Sequence, residues 1–123
     1  MLLAEATMER ITVYHNPACG NSRGALELLH ARKVDVDIIE YLKSHPTRQA
    51  LEKIVDMLEG PVADLVRKDK RFKELGLDAA KYADKKTVVA LLLDHPELMQ
   101  RPVVIRGQRA IIARPPEKLE PLL

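Results

Sequence analysis

The chain has 123 residues, 46% hydrophobic and 31% charged, with a formal net charge of +2. That length holds one sizeable core, no apolar run approaches the roughly 20 residues of a bilayer span, and so mild and mixed a charge argues against a nucleic-acid surface. One cysteine excludes an internal disulfide framework and points to a reducing compartment, the cytoplasm, while the four histidines, His15, His30, His45 and His95, lack metal-ligand spacing. The leading MLLAEATMER carries Glu5 where a secretory signal wants a basic start, so residues 1 to 8 are expected to be a loose tail, with Met8 an alternative start.

Ile11-Thr12-Val13-Tyr14 is β-branched and aromatic and stops at His15-Asn16-Pro17, which predicts a buried first strand. From Asn21 onward Ala25, Leu28 and Leu29 recur at helical spacing, with Asn21 or Ser22 as N-cap and Lys33 as a basic end. Val36 to Tyr41 then predicts a second strand, reached through one helix and therefore parallel to the first, which makes a βαβ unit. After the turn at Ser44-His45-Pro46, Ala50, Leu51, Ile54, Val55 and Leu58 define an amphipathic helix ended by Gly60-Pro61. Pro61 is expected to start another helix running through Leu65-Val66 into the basic run Arg67 to Arg71, whose plain reading is a solvated helix face. Phe72 to Leu77 closes at Gly76, and Asp84 caps an apolar helix with Val88, Val89, Leu91, Leu92 and Leu93, expected to be deeply buried.

Pro102 to Arg106 and Arg109 to Ala113 flank Gly107-Gln108, the pattern of a two-residue hairpin with glycine first. Antiparallel pairing across that turn sets Arg106 opposite Arg109 and Arg101 opposite Arg114. Like charges opposed on a sheet repel, so this arrangement gains nothing structurally unless an anion sits between the guanidinium groups at the open end.

Cys19 lies in HNPACGNSR, at the junction of the first strand and first helix. A lone cysteine is commonly a small buried hydrophobe, but these neighbours are polar turn residues, which places it outside the core. Free N–H groups at the helix start, with His15 and Arg23 nearby and Ser22 able to donate to the sulfur, are expected to lower its pKa and favour the nucleophilic thiolate. Cys19-Gly20-Asn21-Ser22 has the spacing of a redox dithiol with serine in second place, so a mixed disulfide on Cys19 needs an outside thiol.

With these pieces in order the chain resembles the glutaredoxin-dependent arsenate reductase family, including its shorter members, over residues 9 to 122. YHNPACGNSR resembles its nucleophile loop, DLVRK its helical-arginine segment, and RPVVI and ARPPE its two Arg-Pro signatures. The resemblance implies an α/β, thioredoxin-like fold in one domain over 1 to 123: a four-stranded mixed sheet flanked by helices, enlarged by a helical insertion at 47 to 95. It implies a cis bond before Pro102, Cys19 as nucleophile, Arg67, Arg101 and Arg114 as oxyanion holders, and His15, Ser22 and Arg23 as supports of the thiolate. The implied activity is arsenate reduction in arsenical resistance, with glutathione as co-substrate, glutaredoxin as transient partner, no bound cofactor or metal, no membrane or nucleic-acid partner, and a monomeric state. Two alternatives stay open: a monothiol glutaredoxin-like oxidoreductase acting on glutathione mixed disulfides, and an Spx-like regulator, which would usually carry a second cysteine.

Overall fold

A computed structural model describes residues 10 to 123, so the expected loose tail at 1 to 8 lies outside the described residues. The chain divides into two compact units: one runs to Glu40 and resumes over Arg101–Leu123, and the other is Tyr41–Gln100.

The first unit is built on a four-stranded mixed sheet in the order β2-β1-β3-β4, with β1 Ile11–His15, β2 Val36–Glu40, β3 Val103–Arg106 and β4 Arg109–Ile112. β1 pairs parallel with β2 and antiparallel with β3, as one helical crossover followed by a hairpin requires. Helix α1, Gly20–Ala31, and the C-terminal 3-10 helix Pro116–Leu122 cover one face. Ile11, Val13, Val104 and Ile111 from the sheet pack there with Ala25 and Leu29 of α1 and with Leu119 and Leu122. The hairpin has the predicted register, Arg106 opposite Arg109 and Val103 opposite Ile112, with Gly107 at φ +61°, the left-handed value that suits glycine at the turn's first position.

Two local expectations for α1 fail. Its N-cap is Cys19, with no side-chain bond, because the Ser22 hydroxyl is engaged elsewhere. Lys33 lies past the helix end rather than in its last turn: it takes φ +57° and donates its N–H to the His30 carbonyl, while Val34 N–H reaches Leu29.

The second unit carries α2 Arg48–Met57, α3 Lys70–Glu74 and α4 Lys85–Asp94, with α2 packed on α4. Thr47, Asp69 and Asp84 cap the three helices by accepting from Ala50, Phe72 and Thr87 N–H. Helix α4 is one-sided rather than fully buried: Val88, Val89, Leu91 and Leu92 are buried, Leu93 is half-buried and Ala90 is exposed. The continuous helix expected from Pro61 into the basic run is absent. A 3-10 turn, Val62–Leu65, gives way to extended Val66, which bridges antiparallel to Met99, with Arg67 N–H on Leu98 and Gln100 N–H on Leu65. Helix resumes only at Lys70, because Asp69 favours a cap over a helical interior. Arg67 therefore stands on an extended bridge and not on a solvated helix face.

Candidate active site

The cysteine loop is fixed by short-range bonds. Cys19 N–H donates to the Asn16 carbonyl (3.0 Å), closing a turn with Pro17 at its second position, and the Asn16 side chain accepts from Ala18 N–H (2.9 Å). Arg23 N–H then bonds the Cys19 carbonyl (3.0 Å) as the first link of α1. The fully buried Ser22 hydroxyl reaches back to the end of β1, accepting from Asn16 N–H (3.0 Å) and meeting His15 Nδ1 at 2.7 Å. Strand, turn and helix start are thus tied into one piece holding the sulfur.

Cys19 is 8% exposed, against the expectation from its polar neighbours, yet it is no part of the apolar cluster. Burial pushes its thiol up. The backbone N–H of Ser22, the guanidinium groups of Arg101 and Arg114, and the N–H of Asn21 pull it down and prevail, leaving it at about 7 against an ordinary 9.0. About half the molecules then carry a thiolate at neutral pH.

Arg114 Nη1 lies 3.5 Å from Cys19 Sγ and also donates to the Arg101 carbonyl at 2.9 Å. Because β3 runs antiparallel to β1, the open end of the hairpin faces the C-terminal end of β1, where the loop begins. Residues 82 and 95 positions distant in the chain therefore converge on one sulfur. The bonds before Pro102 and Pro115 are both cis.

The other expected supports act differently. His15 is buried and its pKa is lowered by that burial, with Glu40 opposing, so it is neutral at pH 7 and adds no positive charge. Its contact is with Ser22 and not with the sulfur. Ser22 serves the thiolate through its N–H, the hydroxyl being taken, and Arg23 is exposed and absent from the groups that shift the thiol. Arg67 belongs to the second unit, where its Nε donates to Asp69 (3.1 Å) and its Nη1 to Gln100 (3.0 Å). Sequence reasoning missed Asn16, Asp69 and Gln100; the Asn-Pro turn signal was available for the first. Among the described residues no group of three His, Cys, Asp or Glu side chains could hold a metal, and no helix is long and apolar enough to cross a membrane.

Residues 14–122 match the family model described as the ArsC family. The chain belongs to the ArsC family. It is 39% identical over 111 residues to an arsenate reductase of Escherichia coli K12, covering 89% of this chain and 78% of that relative. It is 36% identical over 118 residues to an arsenate reductase of Neisseria meningitidis, covering 94% of this chain and all of the relative. Its fold matches the solved arsenate reductase from Vibrio cholerae with a TM-score of 0.83 at 30% identity, over 94% of this chain and 98% of that one. The fold expected from the resemblance, thioredoxin-like with a mixed four-stranded sheet flanked by helices, is the one found in these ArsC-family structures.

Proposed function

We propose that this chain is an oxidoreductase that reduces arsenate to arsenite through a covalent adduct on Cys19. The observation that carries this reading is the Cys19 sulfur at a helix start with Arg114 Nη1 3.5 Å away and Arg101 also drawn to it. Two guanidinium groups beside a buried thiolate leave one net positive charge to receive an oxyanion, and their planar forks match its tetrahedral oxygens. The thiolate attacks arsenic, one arsenate oxygen leaves as water after protonation, and a sulfur–arsenic bond forms. Glutathione thiolate then attacks the Cys19 sulfur; the electron pair of the sulfur–arsenic bond passes to arsenic, which departs as arsenite, and a mixed disulfide remains. With no second cysteine in the chain, glutaredoxin removes the glutathione and regenerates the thiolate. Phosphate has the same shape and charge, but phosphorus(V) takes no electron pair from a thiol, so it is a competitor and not a substrate.

The family resemblance assigns Arg67 as a third anion-holding group, and its Nη2 donors take no part in its bonds to Asp69 and Gln100. The protein works as a monomer in the cytoplasm, where the thiol pool keeps Cys19 reduced. The test is a coupled assay with arsenate, glutathione, glutaredoxin and a glutathione-reductase readout. Wild type turns over, and Cys19→Ser does not. No arsenate turnover by wild type, with deglutathionylation of a model mixed disulfide that survives Arg114→Met, would replace this reading with a monothiol oxidoreductase.

A further inference from the structure

Beyond the groups that touch the sulfur, the first unit holds one close approach beside the segment that carries Arg114. Helix α1, whose N-cap is Cys19, packs against the C-terminal 3-10 helix that begins two residues after Arg114. At their crossing, a Cβ added to Gly24 would lie 2.8 Å from Pro116 Cγ and 3.6 Å from Pro116 Cβ. Ordinary carbon contacts begin near 3.5 Å, so any side chain at 24 demands a displacement of roughly 0.7 Å. Gly24 lies within α1, where its backbone has no need of glycine, so the reason for a glycine here is this contact.

The displaced part cannot be the far end of the C-terminal helix. Leu119 and Leu122 are buried in the core, Arg106 Nη1 holds the Leu122 carbonyl at 2.7 Å, and Arg32 of the α1 cap pairs with Glu120 at 2.7 Å. The near end, which carries the Pro116 ring that a new methyl would meet, is the less restrained one, and it is joined through Pro115 to Arg114. The Arg114 guanidinium is spanned between Cys19 Sγ at 3.5 Å and the Arg101 carbonyl at 2.9 Å, so a shift of the Arg114 backbone changes its distance to the sulfur.

We propose that Gly24 and Pro116 form a spacer that sets the distance between the Arg114 guanidinium and the Cys19 sulfur, making both positioning residues for the reaction although neither touches substrate. The inference rests on the reading of Cys19 as an activated thiolate. Gly24→Ala moves the Pro115-Pro116 corner outward and draws the cation away, and alanine's better helix propensity offsets part of the packing cost of that contact.

The experiment is the pH profile of Cys19 alkylation by iodoacetamide, with thermal melting in parallel, on wild type, Gly24→Ala and the double variant Gly24→Ala/Pro116→Ala. The Gly24→Ala midpoint is expected to rise by about half a pH unit or more in a protein that still melts cooperatively, and the double variant, which trims the ring that the new methyl meets, returns to the wild-type midpoint. A Gly24→Ala midpoint equal to wild type overturns the spacer, and so does a shift that the double variant retains. A wild-type midpoint near an ordinary thiol's 9.0 instead overturns the activated thiolate, and the spacer with it.

Discussion

Replacing Arg114 by methionine isolates what one remote cation does for the Cys19 thiolate. Four groups favour the thiolate, the N–H groups of Ser22 and Asn21 and the guanidinium groups of Arg101 and Arg114, and together they overcome burial to bring the thiol from 9.0 to about 7. Arg114 is one of the four, and the sum it belongs to also cancels the burial penalty, so its loss should return about one unit and place the variant near 8. At pH 7 the thiolate fraction then falls from about one half to about one tenth. The rate of alkylation falls less, because a thiolate one unit more basic is roughly threefold more nucleophilic, leaving a net loss of about twofold at pH 7. The diagnostic quantity is therefore the midpoint of the iodoacetamide pH profile, followed by mass spectrometry of the Cys19 peptide. A midpoint that stays within about 0.3 units of wild type in a folded Arg114→Met protein would show that the 3.5 Å contact contributes nothing electrostatically.

Two further outcomes follow from the loop. Ser22→Ala strips the partner from Asn16 N–H and His15 Nδ1, both buried, and should lower stability by about 1–3 kcal/mol in urea melts while moving the Cys19 midpoint little; a large midpoint rise without loss of stability would mean that the hydroxyl acts on the sulfur after all. Wild type compared with Cys19→Ser should gain stability as pH climbs from 7 to 9: the folded thiol ionises near 7 and the unfolded one near 9.0, so the unfolded chain holds the extra proton in that window. The gain is complete above 9 and disappears as pH falls through 7, and a flat or declining difference in reductant-containing melts would contradict the lowered thiol.

Local patterns carried the first unit well. The β-branched run before His15, the Asn-Pro turn and the Gly107-Gln108 pair each state a backbone conformation, and the hairpin register follows from them, which sets Arg101 opposite Arg114 from residue order alone; that the pair stands at the cysteine end was implied by the family resemblance and is found in the antiparallel pairing of β1 with β3. What escaped depends on contacts between distant segments. Arg67 sits in a run that reads as helix, and only the pairing of Val66 with Met99 pulls it into extended backbone. His15 beside a cysteine suggests a cation, whereas its burial against Ser22 keeps it uncharged, and a sequence does not announce burial at a strand end. Cys19 is likewise more enclosed than its turn-forming neighbours imply, since its shelter comes partly from arginines 82 and 95 positions away.

That one hairpin delivers two arginines from its open ends divides the ribbon into a permissive tip and an intolerant base. The tip at Gly107-Gln108 lies four paired positions from the base, so lengthening it by a balanced pair of residues leaves Arg101 and Arg114 in step. A single insertion within either strand turns every following side chain to the opposite face and sends one guanidinium away from its twin. Natural variation in this family should therefore accumulate at the tip, where evolution can remodel the outline of the molecule without disturbing its chemistry.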